Sequence, residues 1–127
     1  MARILVIDDQ PQIRDNCREA LEEAGHTVTV AADGREGTRL YHRAPVDLVI
    51  LDLYMPEQDG LATIRELRAT TPDLPIIAMS GGGMMAQPTS FLNIARHLGA
   101  VRTFEKPIRL EELLAIVTDV LRSSGLE

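Results

Sequence analysis

The sequence predicts a single α/β domain, a parallel sheet covered by helices on both faces. Short β-branched apolar runs alternate with amphipathic segments of helical period, five times in succession. The chain has 127 residues, so residues 1–127 read as one domain, with too little left over for a second. Hydrophobic residues make up 45% and charged residues 25%, the balance of a chain with a real core.

The elements follow in order. Arg3–Ile7 is apolar after its first residue, as are Val46–Leu51 (apart from Asp47) and Pro75–Met79. Runs this uniformly apolar belong to strands covered on both faces. His26–Val30 and Val101–Phe104 alternate polar and apolar residues, as sheet edges do. Between the strands, Ile13, Cys17, Ala20, Leu21 and Ala24 form one helical stripe that Gly25 ends. Gly34–Arg43 is a second, less periodic helix. Leu61, Ile64 and Leu67 mark a third after Gly60, and Phe91, Ile94, Ala95 and Leu98 a fourth before Gly99. Leu110, Leu113, Leu114, Val117 and Leu121 mark the last, with Pro107 just ahead of it. Single helices between strands imply right-handed crossovers and parallel pairing.

Composition excludes several functions. Four apolar residues in a row, as in Leu48–Leu51, fall far short of the ~20 that span a bilayer, so no membrane role is expected. Asp8 and Asp9 interrupt the first apolar run too early for a secretion signal. The lone Cys17 can form neither an internal disulfide nor a cysteine-rich metal site, which fits a reducing, cytoplasmic setting. A net charge of −6, no Trp, and only two Tyr and two Phe leave no basic face or stacking platform for nucleic acid.

An open parallel sheet binds ligands beyond the carboxyl ends of its strands, where the strand order reverses. Unusual polar residues stand there. Strand one ends in Asp8-Asp9, strand three in Asp52 and strand four in Ser80, while strand five leads to Lys106-Pro107. With strands ordered 2-1-3-4-5, the three carboxylates converge. Two unit charges ~4 Å apart repel by ~4 kcal/mol at an effective dielectric of 20, so a hard cation such as Mg²⁺ is expected among them, with Lys106 offsetting more charge. A carboxylate can act as a nucleophile toward phosphorus, and phosphoryl transfer asks mainly for alignment and charge cancellation. Asp52, alone on the central strand, is the natural nucleophile. Each residue also has a plainer reading: Asp9 as a helix cap before Pro11, Asp52 as a loop acid, Ser80 as a turn residue, Lys106 as a surface lysine. All of them on one edge is the pattern that points to a site.

Those residues carry a resemblance. Ile4-Leu5-Val6-Ile7-Asp8-Asp9, Leu51-Asp52-Leu53-Tyr54-Met55-Pro56-Glu57-Gln58-Asp59-Gly60, Ala78-Met79-Ser80, Gly99-Ala100 and Lys106-Pro107 resemble, in order and spacing, the receiver domain of two-component response regulators. The resemblance covers nearly the whole chain. It implies a flavodoxin-like (βα)5 fold and a phosphoryl group accepted on Asp52 from a sensor histidine kinase or phosphotransfer protein. It implies Mg²⁺ held by Asp9 and Asp52, by Asp8 largely through water, and by the backbone carbonyl of Tyr54. Ser80 and Lys106 would bind phosphoryl oxygens, and Lys106-Pro107 would be a cis peptide.

Three features depart from the family pattern. Thr103 stands where the family often has an inward-turning Tyr or Phe, and Phe104 is expected on the opposite side of the strand. Ser80 and Gly99 are nineteen positions apart, a longer spacing than usual, with the excess expected in a loop over Gly81–Pro88 that reorders on phosphorylation. Tyr54 and Gly82 flank the route of water to a phospho-aspartate.

The chain thus reads as a stand-alone receiver, not an enzyme with its own substrate. Its effector surface is expected on the fourth helix, fifth strand and last helix. A phosphorelay shuttle and a fragment of a longer regulator are the alternatives. A haloacid-dehalogenase-type hydrolase would want an acid where Tyr54 stands, and an unphosphorylated adaptor would not need the full pocket. Cys17, His26, His42, His97 and the charged face Arg35, Glu36, Arg39 and Arg43 read as structural, and Met84-Met85 as groove filling or a soft partner surface.

Overall fold

In a computed structural model, residues 2–53, 60–80, 93, 95–106 and 109–125 are described, Ser80 by its backbone alone. Five parallel strands form one sheet: β1 (Arg3–Ile7), β2 (Thr27–Ala31), β3 (Leu48–Asp52), β4 (Ile76–Ser80) and β5 (Arg102–Glu105). Their order is β2-β1-β3-β4-β5, with β2 and β5 at the edges where the alternating patterns placed them. Helices α1 (Pro11–Glu23), α2 (Gly34–Arg43), α3 (Gly60–Thr70) and the C-terminal α4 (Leu110–Ser123) are continuous. Of the helix expected before Gly99, Asn93 and Ala95–His97 are helical, whereas Phe91 and Ile94 lie outside the described residues.

Strand pleating explains the two cores. Successive side chains point to opposite faces. Leu5, Ile7, Val49, Leu51, Ile76 and Ala78 join Ile64 and Leu67 of α3 and Tyr41 of α2 on one face. Ile4, Val6, Leu48, Ile50, Ile77 and Met79 join Cys17 and Leu21 of α1 and Leu113, Val117 and Leu121 of α4 on the other. Every residue of β3 is buried, which accounts for its uninterrupted apolar run up to Asp52. Phe104 pairs in register with Met79 and packs on the α1/α4 face. Thr103 pairs with Ala78 and so belongs to the opposite side, as expected.

The helix ends follow local chemistry. Pro11 opens α1, where a missing N–H costs nothing. The helix-capping role open to Asp9 is not used: the N-cap is Gln10, and it makes no side-chain capping bond. The α1 stripe ends at Leu21, because Ala24 is the exposed C-cap rather than a core residue. Gly25, at φ 100°, carries a Schellman turn in which His26 N–H donates to the Leu21 carbonyl and Gly25 N–H to that of Glu22. Gly99, at φ 111°, repeats the turn before β5, with Ala100 N–H donating to the Ala95 carbonyl. Asp33 caps α2 by accepting from Glu36 N–H at 2.8 Å, and the Glu36 carboxylate accepts from Ala32 N–H at 2.8 Å. Glu36 is therefore part of a cap and not merely a solvated face. Leu110 opens α4 at 39% exposure, too early in the helix to reach the core.

Candidate functional site

All the polar strand ends lie on one rim of the sheet. Parallel pairing sets Ile7 beside Leu51, so Asp8 follows β1 next to the place where Asp52 closes β3. Asp8 is fully buried, Asp52 is 3% exposed, and Asp9 is the most open of the three. One oxygen from each carboxylate lies within 4.8 Å of the other two. Carboxylate oxygens gathered this closely form a candidate site for a shared hard cation.

Lys106 reaches this cluster from beyond β5. Its Nζ lies 2.7 Å from Asp8 Oδ2 and 3.2 Å from Asp52 Oδ2, with the side chain 10% exposed. Burial alone pulls the ammonium down, but its contacts with Asp8 and Asp52 outweigh that and hold it above the usual lysine value. The charge cancellation expected of Lys106 is therefore built into the fold, and a lysine so placed is not a surface residue.

Two residues that sequence reasoning passed over also fix the acids. Gln10 N–H donates to Asp8 Oδ1 at 2.9 Å, and Arg14 Nη1 donates to the Asp8 carbonyl at 2.8 Å. With Asp8 N–H bound to the Ala31 carbonyl at 3.1 Å, Asp8 is held at both ends of its backbone and by its side chain. Arg14 was legible in principle, since it lies on the first turn of a helix that starts two residues after Asp9. Gln10 carries no such signal, as its reach depends on Lys106, 96 positions away.

Ser80 closes β4, paired in register with Glu105, which sets its backbone on the same rim. Its hydroxyl, the Tyr54 carbonyl, Gly82, the loop over 81–88, Met84, Met85 and the Lys106-Pro107 peptide geometry lie outside the described residues. The three histidines are dispersed: Ala2 N–H donates to His26 Nδ1 at 3.2 Å, His97 lies against the Asn93 carbonyl, and His42 is exposed at the end of α2.

Cys17 faces the core below the site. Burial, reinforced by the negative charge of Asp8 and opposed by Lys106, pushes its thiol up to about 11. A thiol held neutral by the fold contributes stability that is fully present below about 9 and is lost as pH rises through about 11. Alkylation of the native protein at about pH 8 is accordingly expected to be negligible, and rapid once denaturant is added. Rapid labelling without denaturant would contradict this burial.

A doubly wound parallel sheet of order 2-1-3-4-5 with its polar cluster at the switch point defines a flavodoxin-like α/β class, whose ligands bind at that edge. Within that class, the chain belongs to the response regulator receiver domain family, whose description matches residues 4–118. It is 39% identical over 120 residues to the response regulator MprA of Mycolicibacterium vanbaalenii, covering 94% of this chain and 50% of that protein. The chain thus spans about half the length of the curated relatives it matches. A response regulator receiver domain protein from Clostridium thermocellum superposes with a TM-score of 0.89 at 30% identity, covering 99% of this chain and 98% of the other. The chemotaxis protein CheY4 of Vibrio cholerae does so with a TM-score of 0.84 at 29% identity, covering 95% and 99%. The flavodoxin-like order 2-1-3-4-5 is thereby shared with solved receivers. No helix among the described residues is long and apolar enough to cross a membrane.

Proposed function

We propose that this receiver domain accepts a phosphoryl group on Asp52 from the phosphohistidine of a sensor kinase or phosphotransfer protein, and that the change alters its affinity for an effector. The observation that carries the reading is the Lys106 ammonium set between the Asp8 and Asp52 carboxylates at the strand-end rim. A carboxylate oxygen of Asp52 forms a bond to phosphorus as the donor's P–N bond breaks, and the imidazole nitrogen leaves with that electron pair. Lys106 moves its positive charge onto the incoming phosphoryl oxygens, and the Ser80 hydroxyl donates to another of them. Asp8, Asp9 and Asp52, with the Tyr54 carbonyl, would hold Mg²⁺, which supplies charge cancellation when bound. Burial of Asp8 and Asp52 keeps water from screening these charges.

No substrate beyond the chain's own phosphoryl group is turned over. A domain of this kind acts by shifting a two-state equilibrium, so the effector must bind the two states differently. The face of β5, α4 and the helix before Gly99 is the effector surface in this reading, and the reducing cytoplasm is its setting. The acidic net charge supports a protein partner rather than nucleic acid.

Acetyl phosphate with Mg²⁺, followed by intact mass, tests this. The wild-type chain is expected to gain one phosphoryl group, and Asp52→Asn or a chelator to abolish the gain. A wild-type chain that gains nothing, or an Asp52→Asn chain that still gains it, would overturn the proposal.

A further inference from the structure

An ammonium has three protons to place, and a buried one needs an acceptor for each. Lys106 Nζ has Asp8 Oδ2 at 2.7 Å and Asp52 Oδ2 at 3.2 Å. The contact with Asp8 Oδ2 is an ion pair without hydrogen-bond alignment, so the hydrogen bonds of Nζ go to Asp52 Oδ2 and to Gln10 Oε1, the latter at 3.1 Å. Gln10 is also the N-cap of α1, a position whose side chain usually satisfies the helix's own first amides. Here it makes no capping bond, and its length carries the amide across to Lys106 instead.

The three contacts of Nζ are not equivalent. The two carboxylates are the groups that a divalent cation and a phosphoryl group would also claim. Gln10 Oε1 is neutral and outside the carboxylate cluster, so it is the anchor that Lys106 keeps when the carboxylates are drawn toward other charges. We infer that Gln10 is a positioning residue for phosphoryl transfer, holding the Lys106 ammonium at the mouth of the acidic cluster. This inference rests on the phospho-acceptor reading. It concerns residues at the opposite end of the chain from Lys106, joined only through the fold. The backbone N–H of the same residue donates to Asp8 Oδ1, so one residue orients both members of the ion pair.

Substitutions separate positioning from plain structure. Gln10→Met keeps the length and removes the acceptor. Gln10→Asn shortens the side chain by one methylene and installs a preferred N-cap, so its thermal stability is expected to hold or rise. Labelling of both by acetyl phosphate is expected to slow about tenfold, the scale of one lost charge-assisted hydrogen bond. Mg²⁺ affinity, read by calorimetry without a phosphodonor, should stay at the wild-type value. The ammonium proton–nitrogen NMR signal of Lys106, assigned by its loss in Lys106→Met, should vanish in both variants and return in Gln10→Glu, which restores an acceptor. Wild-type labelling rates in Gln10→Met and Gln10→Asn would overturn the inference, whether or not the ammonium signal persists. Slow labelling of Gln10→Asn with a matching loss of stability would overturn it too, as a structural defect. A wild-type chain that takes no phosphoryl group at all fails the phospho-acceptor reading itself, and the NMR comparison then still reports whether Gln10 holds Lys106.

Discussion

Lys106→Met, measured by urea unfolding in the presence of a chelator, is expected to lower stability by about 4 kcal/mol, the scale on which a buried ion pair loses one partner. The size follows from burial. Asp8 is fully buried and Asp52 only 3% exposed, so neither can recruit water to replace the ammonium. The carboxylate oxygens within 4.8 Å of one another would then repel by about 3 kcal/mol or more per pair at an effective dielectric of 20. Methionine retains the length and apolar stem, so lost packing contributes little. Mg²⁺ should return most of the loss, and should stabilise the variant more than the wild type. Equal stabilisation of both by Mg²⁺ would show that Lys106 does not carry the cluster's charge balance.

The second large effect lies in a residue with no side chain. A Cβ on Gly60 would stand 2.5 Å from Leu53 Cα and 2.8 Å from the Asp52 carbonyl oxygen. Both are backbone atoms of the buried strand end, so no rotamer change can relieve the overlap. Gly60 N–H also donates to the Leu53 carbonyl at 2.9 Å, tying the start of α3 to the end of β3. Gly60→Ala is expected to cost about 3 kcal/mol, read as a lower urea midpoint with an unchanged slope. Because the strand end must shift, Mg²⁺ affinity should fall with it. Gly125→Ala is the control: its φ of 79° gives some strain, but nothing lies within 4 Å, so a loss of only about 1 kcal/mol is expected. Similar losses at the two positions would contradict the close approach of α3 to Asp52.

Much of this was readable from residue order. Apolar runs of strand length identify β1, β3 and β4 because a strand covered on both faces tolerates no charge within it. Asp8 and Asp52 stand out for the converse reason, as ionisable groups placed where those runs stop, and Lys106 follows the alternating edge strand β5. The helix stripes were legible in their middles and not at their ends. Ala24 fits the period of α1 but leaves the core, since the left-handed turn at Gly25 ends the helix before it. The edges of β2 and β5 followed from alternation, whereas the partnership of Thr103 with Ala78 and of Phe104 with Met79 needed the register.

Residue order by itself determined the fold class, the rim on which the polar cluster gathers and the acidic residues that compose it, because hydrophobic period and strand-end polarity are local properties. Tertiary structure alone decided which groups share a proton or a charge: Lys106 with Asp8, Asp52 and Gln10, Arg14 with the Asp8 carbonyl, Gly60 against the end of β3. Such pairings act over a few ångströms between residues distant in sequence, and only the parallel register of the strands brings them within that range.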